Sequence, residues 1–93
     1  MNNPKDIHYD DATQSERAVL DRGLAYLAAK GISKETAHRC GIQFGSVNYD
    51  LILERLGYID EQKWATACVA IWFPCFDPNG EVVGWMAEAV PSN

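Results

Sequence analysis

The sequence lacks the features of a membrane or secreted protein. No apolar run approaches about 18 residues, the length that a membrane-spanning helix needs, and no apolar signal segment follows Met1. The chain has three cysteines (Cys40, Cys68 and Cys75) and no CxxC pair, whereas small secreted domains usually carry an even disulfide framework. We therefore expect a cytoplasmic domain with reduced, mostly buried thiols and no membrane partner.

Positive charge is also scarce. The chain has 8 Lys and Arg residues against 13 Asp and Glu residues, and its formal net charge is −5. This balance disfavours DNA binding as the sole task of an isolated domain, because phosphate contacts need clustered Lys and Arg side chains. An acidic chain suits either ordinary solubility or a basic protein partner.

No complete catalytic or metal-binding set is recognisable in the sequence. His38 and Cys40 lie two residues apart, and Cys68 and Cys75 flank an apolar segment, but this spacing matches no known zinc pattern. A Cys–His nucleophile pair is equally weakly supported. We expect no metal, no cofactor, no small-molecule substrate and no enzymatic activity.

What the sequence does contain is typical of one small globular domain, with hydrophobic residues making up 47% of the chain. Residues 1–12 are polar and are interpreted as a flexible lead-in, so the expected domain covers residues 13–93. Its class is predicted to be α+β: an N-terminal helical hairpin and a third short helix packed on a small antiparallel sheet, with a C-terminal β-hairpin.

The helical hairpin is predicted from start and stop signals. Residues 13–16 (Thr-Gln-Ser-Glu) fit a capping box at the start of the first helix. Three leucines then recur at helical spacing: Leu20, Leu24 and Leu27. Gly31 stands where a left-handed residue ends a helix, Ser33 can cap a second helix, and Gly41 can end it.

The middle of the chain predicts a short strand and a third helix. Residues 42–44 alternate apolar and polar, which favours a strand. Asp50 can cap a helix over residues 51–56 that Gly57 ends. Four of its residues are too apolar for a free surface helix and should pack on the sheet: Leu51, Ile52, Leu53 and Leu56. Residues 58–64 are ambiguous and are compatible with another helical turn.

The last part of the chain predicts a β-hairpin. Residues 69–73 are β-branched and aromatic, the tetrapeptide 77–80 (Asp-Pro-Asn-Gly) has turn chemistry, and residues 82–89 return as the partner strand. Pro74 has no backbone N–H to donate, so its strand should lie at an edge or carry a bulge there.

Two blocks of this sequence resemble the catalytic core of bacterial and phage primases of the DnaG type. The first is residues 25–37 (Ala-Tyr-Leu-Ala-Ala-Lys-Gly-Ile-Ser-Lys-Glu-Thr-Ala), followed by Gly41-Ile42, and it is similar to a helical hairpin of that family. The second is residues 71–84 (Ile-Trp-Phe-Pro-Cys-Phe-Asp-Pro-Asn-Gly-Glu-Val-Val-Gly), and it is similar to a β-hairpin of the same family. With the Leu-rich helix that bridges the two blocks, the resemblance covers roughly residues 20–90.

The resemblance implies a binding role rather than primer synthesis. In primases this region precedes the Toprim domain and helps to shape the groove for template and primer. The metal-binding carboxylates belong to Toprim, and this chain has no Asp-x-Asp and no Cys/His zinc module. Where the family commonly places a basic residue after the hairpin, this chain has Glu88, whose carboxylate repels a phosphate backbone.

The candidate contact residues follow from these observations. Lys30, Lys34 and Arg39 are candidates for nucleic-acid contact, although a solvated helix face with acidic neighbours such as Glu35 is the simpler interpretation. The candidates for a protein interface are Trp85 and Glu88 in the predicted hairpin and the acidic pair Asp60 and Glu61. Trp72 and Trp85 can stack on bases if they are exposed, or fill the core.

Two functional hypotheses remain open from the sequence. In the first, the chain is the non-catalytic pre-Toprim subdomain of a phage or mobile-element primase and contacts single-stranded DNA or replication proteins. In the second, it is a stand-alone acidic protein of a phage or mobile element that binds and inhibits a nucleic-acid-handling protein, as anti-CRISPR proteins do.

Overall fold

The computed structural model describes residues 14–92, which form four helices and three strands. In chain order these are α1 (Gln14–Ala29), α2 (Lys34–Arg39), β1 (Gln43–Ser46), α3 (Tyr49–Leu56), α4 (Glu61–Ala65), β2 (Ala67–Phe76) and β3 (Val82–Pro91). The predicted α+β class and C-terminal β-hairpin are therefore confirmed. The proposed lead-in and the Thr13 end of the proposed capping box lie outside the described residues.

The sheet is antiparallel, with strand order β1-β2-β3. β2 and β3 pair along their whole length, but β1 pairs with β2 only from Val69 to Trp72. At Pro74, therefore, β2 has β3 as its one neighbour in the sheet, and a register shift follows between Cys75 and Phe76. A missing N–H is tolerated at such a position, which agrees with the expected edge or bulge.

Helices cover both faces of the sheet. Val69 and Ile71 pack with residues of α1 and α2, whereas the alternate residues Ala70 and Trp72 pack with residues of α3 and α4. Because successive side chains of a strand point to opposite faces, these are two separate cores on the two sides of β2. The Trp64 and Trp72 rings are both buried in the core next to α3 and α4.

The helix ends follow the predicted chemistry with one exception. The Ser33 hydroxyl accepts the Thr36 N–H at 3.1 Å and caps α2, as expected. The cap of α3 is Asn48, whose side-chain oxygen accepts the Leu51 N–H at 3.1 Å, and not Asp50, which lies in the first turn. Asn and Asp cap helices equally well, so local chemistry could not choose between two such residues two positions apart.

The middle of the chain forms the helices α3 and α4. Leu51 and Ile52 are buried against the sheet as predicted, but Leu53 points outward and is largely exposed. Residues 61–65 form α4, which gives the ambiguous segment its extra helical turn. No helix within residues 14–92 combines enough length and apolar character to cross a bilayer.

The Asp77 side chain stabilises the hairpin turn, as the sequence predicts. The Asp77 carboxylate accepts the N–H groups of Asn79 and Glu81, each at 2.9 Å. The Gly80 N–H donates to the Asp77 carbonyl at 3.0 Å, with Gly80 at φ 86°. Because glycine pays no steric penalty at positive φ, this position closes the turn without strain.

Candidate functional site

Large apolar side chains are exposed where the β2–β3 hairpin extends beyond β1. Phe76, Val82, Val83 and Met86 are 53%, 46%, 67% and 65% exposed, and we call these four residues the hairpin surface. Val82 pairs with Phe76 across the two strands, and Val83 is the extra residue of the register shift. Large exposed apolar side chains on a small domain are typical of a binding site.

The same part of the chain carries only negative charge. From residue 64 to residue 93 the sequence has no Lys or Arg, but it has Asp77, Glu81 and Glu88. Glu81 is exposed beside the hairpin surface. An apolar surface with acidic neighbours attracts partners that combine apolar and basic side chains.

Trp85 is half-buried beneath an arginine rather than free to stack on a partner. The Arg55 guanidinium carbon lies 3.8 Å from the centroid of the Trp85 ring and 4.9 Å from that of Trp72. The two tryptophan rings meet edge to face, with centroids 6.3 Å apart. Arg55 also donates to the Gln43 side-chain oxygen at 3.0 Å, so this cation–π cluster ties α3 to β1 and β3.

Glu88 is engaged by Tyr26 of α1 and by Lys30, which directly follows that helix. The Tyr26 hydroxyl donates to the Glu88 carboxylate at 2.7 Å, and the Lys30 ammonium lies 3.8 Å from the same oxygen and 4.9 Å from the Tyr26 ring centroid. The hydrogen bond to Glu88 raises the pKa of Tyr26 above 10.0, and desolvation and the Glu88 charge add to this, whereas Lys30 acts in the opposite direction. The carboxylate therefore offsets one of the three candidate DNA-binding cations.

The shifted pKa of Tyr26 gives a titration test of this contact. Because its pKa is raised, Tyr26 holds its proton more tightly in the folded than in the unfolded state. The contribution of this bond to stability is therefore present below a pH of about 10 and is lost as the pH rises through the raised pKa. We expect Glu88→Gln to lower the pKa of Tyr26 towards its ordinary value. The pKa is measured from tyrosinate absorbance in the original chain and in Glu88→Gln. Subtracting the absorbance of the matching Tyr26→Phe variant from each isolates the titration of Tyr26. An unchanged Tyr26 titration would contradict the contact.

The other two candidate cations lie on α2. Lys34 and Arg39 are its first and last residues and both are exposed, and Arg39 approaches the Thr36 hydroxyl at 3.5 Å. Together with Lys30 they lie within ten residues of sequence, with Glu35 between them. The structure thus places the three predicted nucleic-acid residues at the end of α1 and on α2.

The acidic pair predicted for a protein interface lies at the start of α4. Asp60 is its N-cap, and its carboxylate accepts the Lys63 N–H at 3.2 Å. Glu61 is exposed in the first turn, where a negative charge complements the helix dipole. Capping and dipole stabilisation thus give both residues a structural role.

The cysteines and histidines do not gather into a site within residues 14–92, where no three His, Cys, Asp or Glu side chains come close enough to hold a metal ion. All three thiols are free. Cys40 is exposed, and Cys68 and Cys75 are half-buried, which corrects the expectation that the thiols are mostly buried.

Sequence reasoning missed the four residues of the hairpin surface, and it named Trp85 and Glu88 instead. One usable signal was present: the absence of Lys and Arg after Lys63, next to a run of apolar residues in the predicted partner strand. Comparison with protein-family models, curated proteins and solved structures finds no match to this chain. The resemblance to the primase core therefore stays a prediction.

Proposed function

We propose that this chain is a cytoplasmic, non-catalytic binding domain that contacts another protein through the hairpin surface. The observation that carries the proposal is the exposure of four large apolar side chains, Phe76, Val82, Val83 and Met86, on a hairpin that projects past β1. Burial of apolar area is the main source of affinity in protein interfaces. The three free thiols suit a reducing compartment.

We further propose that the partner is a protein that handles nucleic acid. Such proteins carry basic surfaces because they neutralise phosphates, and the hairpin carries acidic residues without any basic one. The resemblance to the pre-Toprim region of primases supports the same class of partner. A contact of this kind is compatible with both hypotheses from the sequence, a replication subdomain of a phage primase and a stand-alone inhibitor of anti-CRISPR type.

A second candidate function is contact with single-stranded DNA through Lys30, Lys34 and Arg39. The observation in its favour is that all three side chains are exposed and close in sequence. Against it stands the Lys30–Glu88 contact at 3.8 Å, which reduces the charge available to phosphates. Affinity for DNA, if present, should fall steeply with salt.

Site-specific photo-crosslinking in a lysate of the source cells tests the protein-binding function. A benzoylphenylalanine at Val83 is expected to form an adduct with one partner, whereas the same group at Ala28, exposed on α1, is not. Adding Met86→Lys to the Val83 probe should reduce the adduct about tenfold or more, because it places a positive charge in the apolar contact. Tyr58→Lys, at another exposed aromatic residue, is the matched control and should leave the adduct unchanged.

The DNA alternative is tested with labelled single-stranded DNA in the same variants. Salt-sensitive binding that disappears when Lys30, Lys34 and Arg39 are all replaced by Ala, with no Val83 adduct, would favour the second function. A Val83 adduct that depends on Met86, with DNA affinity unaffected by the triple replacement, favours the first.

A further inference from the structure

The outer edge of β3 is open beside the hairpin surface. β3 is an edge strand ten residues long, and within residues 14–92 no strand pairs with its outer side. An edge strand presents a row of backbone N–H and C=O groups that can pair with another chain. Its side chains Val82, Val83 and Met86 are the exposed apolar residues described above.

One contact identifies which backbone groups face outward. The Lys63 ammonium, from α4, donates to the Ala87 carbonyl at 3.0 Å. The N–H and C=O of one strand residue point to the same side, and neighbouring residues alternate. Trp85 therefore shares the outward direction of Ala87, while the N–H groups of Met86 and Glu88 point to β2.

Lys63 also divides the outer edge of β3 into a part that it covers and a part that it leaves open. A lysine placed on an edge strand blocks pairing, since it occupies a carbonyl and brings a charge. Lys63 covers the edge at Ala87, and the stretch from Val82 to Met86 is the part of this edge that Lys63 does not cover. The open stretch thus coincides with the exposed apolar side chains.

We propose that the open edge of β3 accepts an extended, basic and apolar segment of the partner as a fourth strand. This rests on the proposed function and adds its mode of binding. Strand addition gains affinity from backbone hydrogen bonds and specificity from alternate side chains. Asp77 and Glu81, with no basic residue after Lys63, select a basic segment. They disfavour a second copy of this acidic chain at the same edge.

The test uses a ten-residue peptide of alternating Val and Lys, blocked at both termini. Two controls match it: the same peptide with Glu in place of Lys, and one N-methylated at its four central residues so that neither edge can donate. We expect the first peptide to bind at least about tenfold more tightly than either control. On binding, exchange of the Trp85 amide should slow, while that of the Met86 amide, which points to β2, should not change.

The outcomes separate this inference from the proposed function. Equal affinity for the N-methylated peptide, or an unprotected Trp85 amide in a complex, overturns strand addition, whereas the Met86-dependent Val83 adduct would still support a protein-binding surface. Equal affinity for the acidic peptide overturns the choice of a basic segment. Slow exchange of the Trp85 amide in the free protein also contradicts the proposal. If this protection depends on protein concentration, a second copy occupies the edge. If it does not, a segment of the same chain occupies it.

Discussion

Replacing Trp72 with Ala should lower the free energy of unfolding by about 3–5 kcal/mol, the usual cost of removing a buried tryptophan. The ring is 2% exposed and belongs to the core that Leu51, Ile52 and Trp64 form on one face of the sheet. It also meets Trp85 edge to face and lies beneath Arg55. Removing it leaves a cavity that a well-packed core cannot close and takes away one partner of the Arg55 cluster.

Chemical denaturation of the purified domain measures this loss. Because domains of this size are stable by only about 5–15 kcal/mol, the variant should unfold at a much lower denaturant concentration. Tyr58→Ala is the control, since that ring is largely exposed and its removal should change the stability by about 0.5 kcal/mol or less. A loss below about 1 kcal/mol for Trp72→Ala would show that the ring is not a core residue.

A β-carbon at Gly23 should also be strongly destabilising, because this glycine of α1 touches β1. A Cβ at this position would overlap the Phe44 Cδ1 atom and lie 3.0 Å from Cε1. Phe44 is a buried residue of the core on the α1 side. Ala gains about 1 kcal/mol over Gly in a helix, but overpacking typically costs about 1–3 kcal/mol. We expect a net loss with Gly23→Ala and a larger one, about 3 kcal/mol, with Gly23→Val.

A double-mutant cycle isolates the overlap from helix propensity. Phe44→Leu removes the ring atoms that the new methyl group meets, so Gly23→Ala should be less destabilising in that background than in the original chain. Ala28→Gly, at an exposed position of the same helix, reports the Gly–Ala propensity difference alone and should cost about 1 kcal/mol. Strictly additive effects of Gly23→Ala and Phe44→Leu would contradict a contact between them.

Features set by neighbouring residues could be predicted from the sequence. The Ser33 cap and the Asp77 turn are hydrogen bonds over two to four positions, so residue type alone indicates them. The four glycines expected at helix ends and in the turn all have positive φ: Gly31, Gly41, Gly57 and Gly80. The β-branched and aromatic residues 69–73 and the turn residues 77–80 likewise predicted the hairpin.

Features that depend on distant partners could not be predicted. Tyr26 and Glu88 are 62 positions apart, and no spacing rule connects Gly23 with Phe44 or Arg55 with Trp85. The hairpin surface lies on the part of the hairpin that extends beyond β1, which spans only four residues. Periodicity predicts that a strand forms, but the length of its neighbour decides which of its side chains remain in solvent.

The most direct test is the dissociation constant between this domain and the protein captured at Val83. Calorimetry should give tight binding for the original chain and for Tyr58→Lys, and an affinity lower by about tenfold or more for Met86→Lys. Equal affinities for all three proteins, or a loss confined to the replacement of Lys30, Lys34 and Arg39, would contradict binding through the hairpin surface.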